Sequence, residues 1–143
     1  MLDGLMNARE RAQAEAAVLE ANQEFYKAFS RGDYPAMSEL WAKRVPIACL
    51  HPGAPLLSGR NAVLASWRQL LDAAPAWEMV GRDTTVHLFG QGAFVTCLEA
   101  NGAEPAHLMA TNIFVWEEGR WRLVHHHAGP LSVPVPARNV FVN

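Results

Sequence analysis

Cysteine is scarce in this chain of 143 residues: there are two, Cys49 and Cys97, in apolar strand-like contexts without C-x-x-C spacing. They read as buried, reduced thiols of a cytoplasmic protein, ahead of a disulfide or a nucleophile. An excess of one charge is missing too. The formal net charge is -2 and no block of Lys or Arg occurs, which excludes a basic field for nucleic acid or an anionic membrane. No long hydrophobic run approaches a membrane span. The first fifteen residues mix Asp3, Arg9, Glu10 and Arg11 with small residues and lack the apolar stretch of a secretory signal. No repeat or low-complexity segment appears.

What is present is globular. Half the residues are hydrophobic and 18% are charged, which suits one domain with a real core. Val18, Asn22, Phe25 and Phe29 recur at helical spacing, flanked by Leu19 and Tyr26. Ser30-Arg31-Gly32 ends that helix, with Gly32 in the left-handed cap position. Asp33 caps a second helix, tolerates Pro35 in its first turn, and turns Tyr34, Met37, Leu40 and Trp41 inward. Ile47 to Leu50 is a short strand ending at His51-Pro52-Gly53. A third helix carries Val63, Trp67, Leu70 and Leu71 on one face and stops at Pro75.

The period then changes from helical to alternating. Trp77 to Phe89, Ala93 to Ala100, His107 to Trp116 and Arg120 to Ala128 read as strands. Gly90-Gln91-Gly92, Asn101-Gly102 and Glu118-Gly119 supply the turns, so the strands should meander antiparallel. Helices first and strands later define an α+β fold. The apolar, proline-containing tail over 131–143 should lie extended against its own domain or a partner subunit.

The last hairpin gathers the chemistry. With a two-residue turn at Glu118-Gly119, Trp116 faces Trp121, Phe114 faces Leu123, Asn112 faces His125 and Ala110 faces His127. That stripe is apolar at one end and polar at the other, as in a pocket with a few oriented polar groups. The opposite face carries Arg122, Val124 and His126. A bulged three-residue loop would slip the register by one. His125 and His127 could be a core histidine bonded to Asn112 and a rim histidine, or contact a ligand. H-x-H with His51 could supply three metal ligands, but no supporting carboxylate or cysteine is spaced for it, so no metal is expected. His51, at the end of its strand, is a candidate general base. Trp41 and Trp67 are core residues that could line a pocket. Asp83, on a strand of mixed polarity, should be exposed.

Phe25 to Asp33, Leu40-Trp41 and His51-Pro52-Gly53, followed by Ser58-Gly59-Arg60, Ser66-Trp67, Ala110 to Phe114 and Trp121 to His127, together resemble the nuclear transport factor 2-like superfamily, in its SnoaL-like branch. The resemblance covers about residues 16–130. It implies a cone: a curved antiparallel sheet wrapped on N-terminal helices, a deep apolar pocket, and a homodimer packed through the convex sheet face. Asn112, His125 and His127 would line the pocket, and Arg122, Val124 and His126 would face the partner subunit. The superfamily's isomerases use a tyrosine in the first helix, an aspartate base and a protonated aspartic acid. Here the tyrosine position falls on Phe25, with Tyr26 one step off the inward face. The base position falls on His51, and the apolar strands offer no buried aspartate.

Three functions are expected of such a chain. The first is a pocket that binds a small, mostly apolar molecule through Tyr26, Trp41, Trp67, Asn112, Phe114, Leu123 and His125. The second is an isomerase, cyclase or dehydratase with His51 or His127 as general base and no cofactor. The third is a protein-interaction module with a vestigial pocket.

Overall fold

Asn7 starts the first helix by reciprocal capping: its side chain accepts from the Glu10 backbone at 2.8 Å, and Glu10 accepts from the Asn7 backbone at 3.2 Å. The computed structural model describes residues 6–73 and 77–138. Helix α1, Ala8–Arg31, therefore begins well before the apolar stripe does and ends at Gly32, whose φ of 63° is left-handed. Asp33 caps α2, Tyr34–Leu40, by accepting from the Ala36 backbone. Strands β1, Ala48–Leu50, and β2, Leu57–Ser58, precede α3, Arg60–Ala73. Pro75, the expected stop for α3, lies outside the described residues.

Four long strands follow: β3, Met79–Phe89; β4, Gly92–Asn101; β5, Ala106–Glu117; and β6, Arg120–Val135. They pair antiparallel in sequence order, and the full sheet runs β2-β1-β6-β5-β4-β3. The sheet is mixed rather than wholly antiparallel, because β1 joins β6 in parallel. That pairing sets Cys49 beside His126 and brings the β1 end, with His51, to the middle of β6.

The sheet's inner face and the helices α1 and α3 enclose the core. Val18, Phe25, Val63, Trp67, Val95, Phe114 and Leu123 are fully buried there. Gly81 is needed for α1 to approach β3: a Cβ would stand 3.1 Å from the Tyr26 ring and 3.2 Å from the Cys97 sulfur. Strand β6 continues past the expected end at Ala128. Leu131 and Val135 pack beside Leu98, Ala100 and Ala106, so this part of the tail lies on its own domain. Residues 139–143 lie outside the described structure. Asp83 is exposed as expected, with φ 52° at an irregularity in the β3–β4 ladder. Among the described residues, no helix is long and apolar enough to cross a membrane.

Candidate functional site

The β5–β6 hairpin opens as its turn residues dictate. Glu118 and Gly119 both take positive φ, Glu117 meets Arg120, and the next three rungs pair as the two-residue turn requires. Then Phe114 pairs with Leu123 while Ile113 pairs with His125, leaving Val124 as an extra residue. This is a β-bulge, and one extra residue exchanges the faces of everything beyond it.

The histidine assignments are thereby reversed. His126 points inward and is 1% exposed, and its rung partner is Asn112. His125 and His127, expected in the pocket, lie on the outer face of the sheet. The His125 ring donates from Nδ1 to the Ala48 carbonyl at 3.1 Å, and burial lowers its pKa. His127 is exposed. His126 does not look toward a partner subunit, and neither does Arg122, which is buried against Glu117 and the Glu39 carbonyl.

Around His126 the structure assembles a continuous polar network. His126 Nδ1 donates to Asn112 Oδ1 at 2.5 Å, since an amide oxygen only accepts. The Asn112 amide donates to Asn22 Oδ1 at 2.8 Å and to the Tyr26 hydroxyl at 3.2 Å. Tyr26 donates to Glu99 Oε2 at 2.7 Å, and its oxygen also lies 3.2 Å from the Cys97 thiol. His126 Nε2 stands 3.8 Å from Glu99 Oε2. Each of these polar residues is at most 3% exposed.

Burial sets the protonation states. It pushes the Glu99 carboxyl up to about 7, against which the Tyr26 hydrogen bond pulls only partly. It pushes His126 down to about 3, reinforced by the neighbouring histidines, so the ring is neutral. The Cys97 thiol is raised to about 11 and Cys49 to about 12, which removes both as thiolate nucleophiles at neutral pH.

His51 closes the site from the β1 side. Its ring packs 4.9 Å from Trp67 and 6.4 Å from His126. Ser66 spends its proton on the Val63 carbonyl at 2.7 Å, so its oxygen accepts from His51 Nε2 at 3.0 Å. His51 Nδ1 is left with its lone pair, and burial lowers the ring's pKa. His51, Glu99 and His126 line one cavity of about 470 Å³, whose other walls include Phe29, Leu70, Trp77, Met79 and Leu108. A larger cleft of about 620 Å³ lies between α1 and β3, and Asn22 and Tyr26 reach its wall. Its charged groups Lys27, Arg31 and Glu78 are exposed, whereas the buried titratable groups His51, Glu99 and His126 line the smaller cavity.

The sequence-derived candidates thus divide. His51, Asn112, Tyr26 and Trp67 come together around His126. Trp41, Phe114 and Leu123 are wholly buried in the core. Of the sequence-derived candidates His51 alone lines the cavity of about 470 Å³; Tyr26, Trp67 and Asn112 stand behind its wall. Tyr26 is inward after all, and Phe25 beside it is core, its ring 5.4 Å from Trp67. The strands do hold a buried carboxyl, Glu99. Strand parity could have found it, because Glu99 shares a face with Ala93, Val95 and Cys97. Among the described residues, no group of three or more His, Cys, Asp or Glu is arranged to hold a metal ion.

A mixed, curved sheet wrapped on a long N-terminal helix, with polar groups at the end of an apolar cavity, defines a nuclear transport factor 2-like protein. Residues 18–136 match the model of the SnoaL-like domain, and the chain belongs to that family. It is similar to a Streptomyces avermitilis protein of the nuclear transport factor 2-like family that carries a provisional dehydratase assignment. The two are 33% identical over 86% of this chain and 99% of that one, with a TM-score of 0.78. A Thiobacillus denitrificans protein, provisionally a calcium/calmodulin-dependent protein kinase type II association domain, is 33% identical over 78% of this chain and 93% of its own, with a TM-score of 0.69. The F-box protein SKIP8 of Arabidopsis thaliana is 30% identical over 122 residues. That match takes in 82% of this chain, which spans about half, 51%, of the curated relative.

Proposed function

We propose that the cavity binds a small, mostly apolar molecule bearing a hydroxyl and a carbonyl, and that His51 and Glu99 perform dehydratase-type acid–base chemistry on it. One observation carries this reading: His51 and Glu99 share the wall of one apolar cavity, where burial lowers the histidine's pKa and raises the carboxyl's to about 7. Pairs whose environments separate their protonation states supply an acid and a base side by side. His51 Nδ1 takes a proton from the carbon beside the carbonyl, and that electron pair forms the carbon–carbon double bond. The carbon–oxygen bond at the next carbon breaks as Glu99 gives its proton to the departing oxygen, and water leaves. The proton on His51 then returns to Glu99 through solvent. The chemistry of the Streptomyces relative's provisional assignment supports the same reaction class.

A homodimer through the outer sheet face belongs to the proposal. Phe89 and Met109 are exposed there at 48% and 40%, and a relative is described as an association domain. The free, buried cysteines fit the reducing cytoplasm. An interaction module with a filled cone is less supported, because the cone holds a cavity of about 470 Å³.

The test substrate is the β-hydroxy ketone formed from benzaldehyde and acetone, whose dehydration gives a conjugated enone read by absorbance. Wild type should turn it over, and His51→Ala and Glu99→Gln should each lower kcat by roughly 10²- to 10⁴-fold. Full turnover by His51→Ala would remove the histidine from the mechanism.

A further inference from the structure

The buried network has a direction. The Tyr26 proton goes to the Glu99 carboxyl at 2.7 Å. The Tyr26 oxygen must therefore accept, and it does so from the Asn112 amide nitrogen at 3.2 Å. That nitrogen's second proton goes to Asn22 Oδ1 at 2.8 Å, which fixes the amide's orientation. The Asn112 oxygen is thus turned to His126, which must carry its proton on Nδ1. Free imidazole has no such constraint; here four residues, Asn22 and Tyr26 on α1, Glu99 on β4 and Asn112 on β5, impose the tautomer. His126 Nε2 is left as a pure acceptor.

The two ends of this chain of bonds meet again at the cavity. His126 Nε2 and Glu99 Oε2 are 3.8 Å apart, too far to bond each other but near enough for one oxygen to bond both groups. Both residues line the cavity of about 470 Å³. We infer that Glu99 and His126 form a seat for a single ligand hydroxyl, which donates to His126 Nε2, accepts from the Glu99 carboxyl, and so closes a one-way ring through Asn112 and Tyr26. Every bond in such a ring points the same way, so each polarises the next. The ligand is a neutral alcohol, phenol or enol on an apolar body. An ether of the same shape cannot donate to His126 and leaves a buried acceptor unmatched. Asn112 and Asn22 are positioning residues, acting through His126 rather than on the ligand. The inference rests on the cavity being a ligand site, as proposed above.

The probes are β-naphthol and its methyl ether, measured by calorimetry at pH 6 against the full chain. Nitrogen-15 NMR of labelled histidine reads the His126 tautomer independently of any ligand. Wild type should show the Nδ1–H form and bind naphthol about tenfold or more tightly than the ether. In Asn112→Leu the Nδ1–H preference and the discrimination should both be lost. An Nε2–H tautomer in wild type overturns the inference whether or not Asn112→Leu folds. Equal affinity for the two probes also overturns it, while leaving the cavity reading intact. Binding of neither probe overturns both.

Discussion

Trp67→Ala is expected to cost about 3–5 kcal/mol of folding stability. The indole is fully buried. It meets Phe25, Phe29 and His51 edge-on, at 5.4, 5.1 and 4.9 Å between ring centroids, so its removal forfeits both buried area and oriented ring contacts. The void would open beside the cavity wall that His51 and His126 line, and the loss could not be recovered by collapse without moving His51. For a domain with about 5–15 kcal/mol in all, this is a large fraction. Urea unfolding of the two proteins measures it as a shift in midpoint at unchanged slope. A loss below about 1 kcal/mol would mean that Trp67 is not part of the core.

Glu117→Ala should be comparably damaging, by about 3–5 kcal/mol, although the residue is remote from the site. The Glu117 carboxylate accepts from the backbones of Lys43 and Arg44 at 3.0 and 2.8 Å and lies 3.3 Å from Arg122 Nε. Burial would raise its pKa, but those two backbone donors and the Arg122 charge outweigh burial and hold it below the ordinary value. Arg122 is only 6% exposed and also donates to the Glu39 carbonyl at 2.5 Å. Removing Glu117 alone leaves two backbone donors unpaired and the buried guanidinium with only the Glu39 carbonyl and the exposed Glu39 carboxylate at 3.8 Å. Converting both Glu117 and Arg122 to apolar residues should therefore cost less than Glu117→Ala by itself, the sign that distinguishes an abandoned charge from a lost attraction. A neutral single substitution in denaturant melts would contradict this.

Much of the fold was legible because local rules agreed with global packing. Gly32, Asp33 and the Glu118-Gly119 turn each take the conformation their chemistry favours. The polar site was less legible, and the reason is specific. Hydropathy reveals strand register by contrast between faces, and three consecutive histidines offer no contrast. A bulge at Val124 therefore reverses His125, His126 and His127 without changing the pattern that could report it. The isomerases use aspartates, whereas the buried acid at this cavity is Glu99 on β4. Its hydrogen bond to Tyr26 crosses from strand to helix, a pairing that neither element's periodicity contains. The parallel β1–β6 pairing is equally non-local, yet it is what carries His51 to the cavity.

Glu99 is a buried acid that faces the cavity, and burial raises its pKa to about 7. Carbon-13 NMR of the Glu99 carboxyl across a pH titration tests it directly. The expected midpoint is about 7, well above the ordinary 4.5. Because the folded value is raised, this group's contribution to stability is greatest below pH 4.5 and declines as pH rises toward 7. Glu99→Gln should abolish that decline. A Glu99 midpoint at the ordinary carboxylate value, with the same stability profile in wild type and Glu99→Gln, would mean that Glu99 is an ordinary ionised carboxylate and no acid of the cavity.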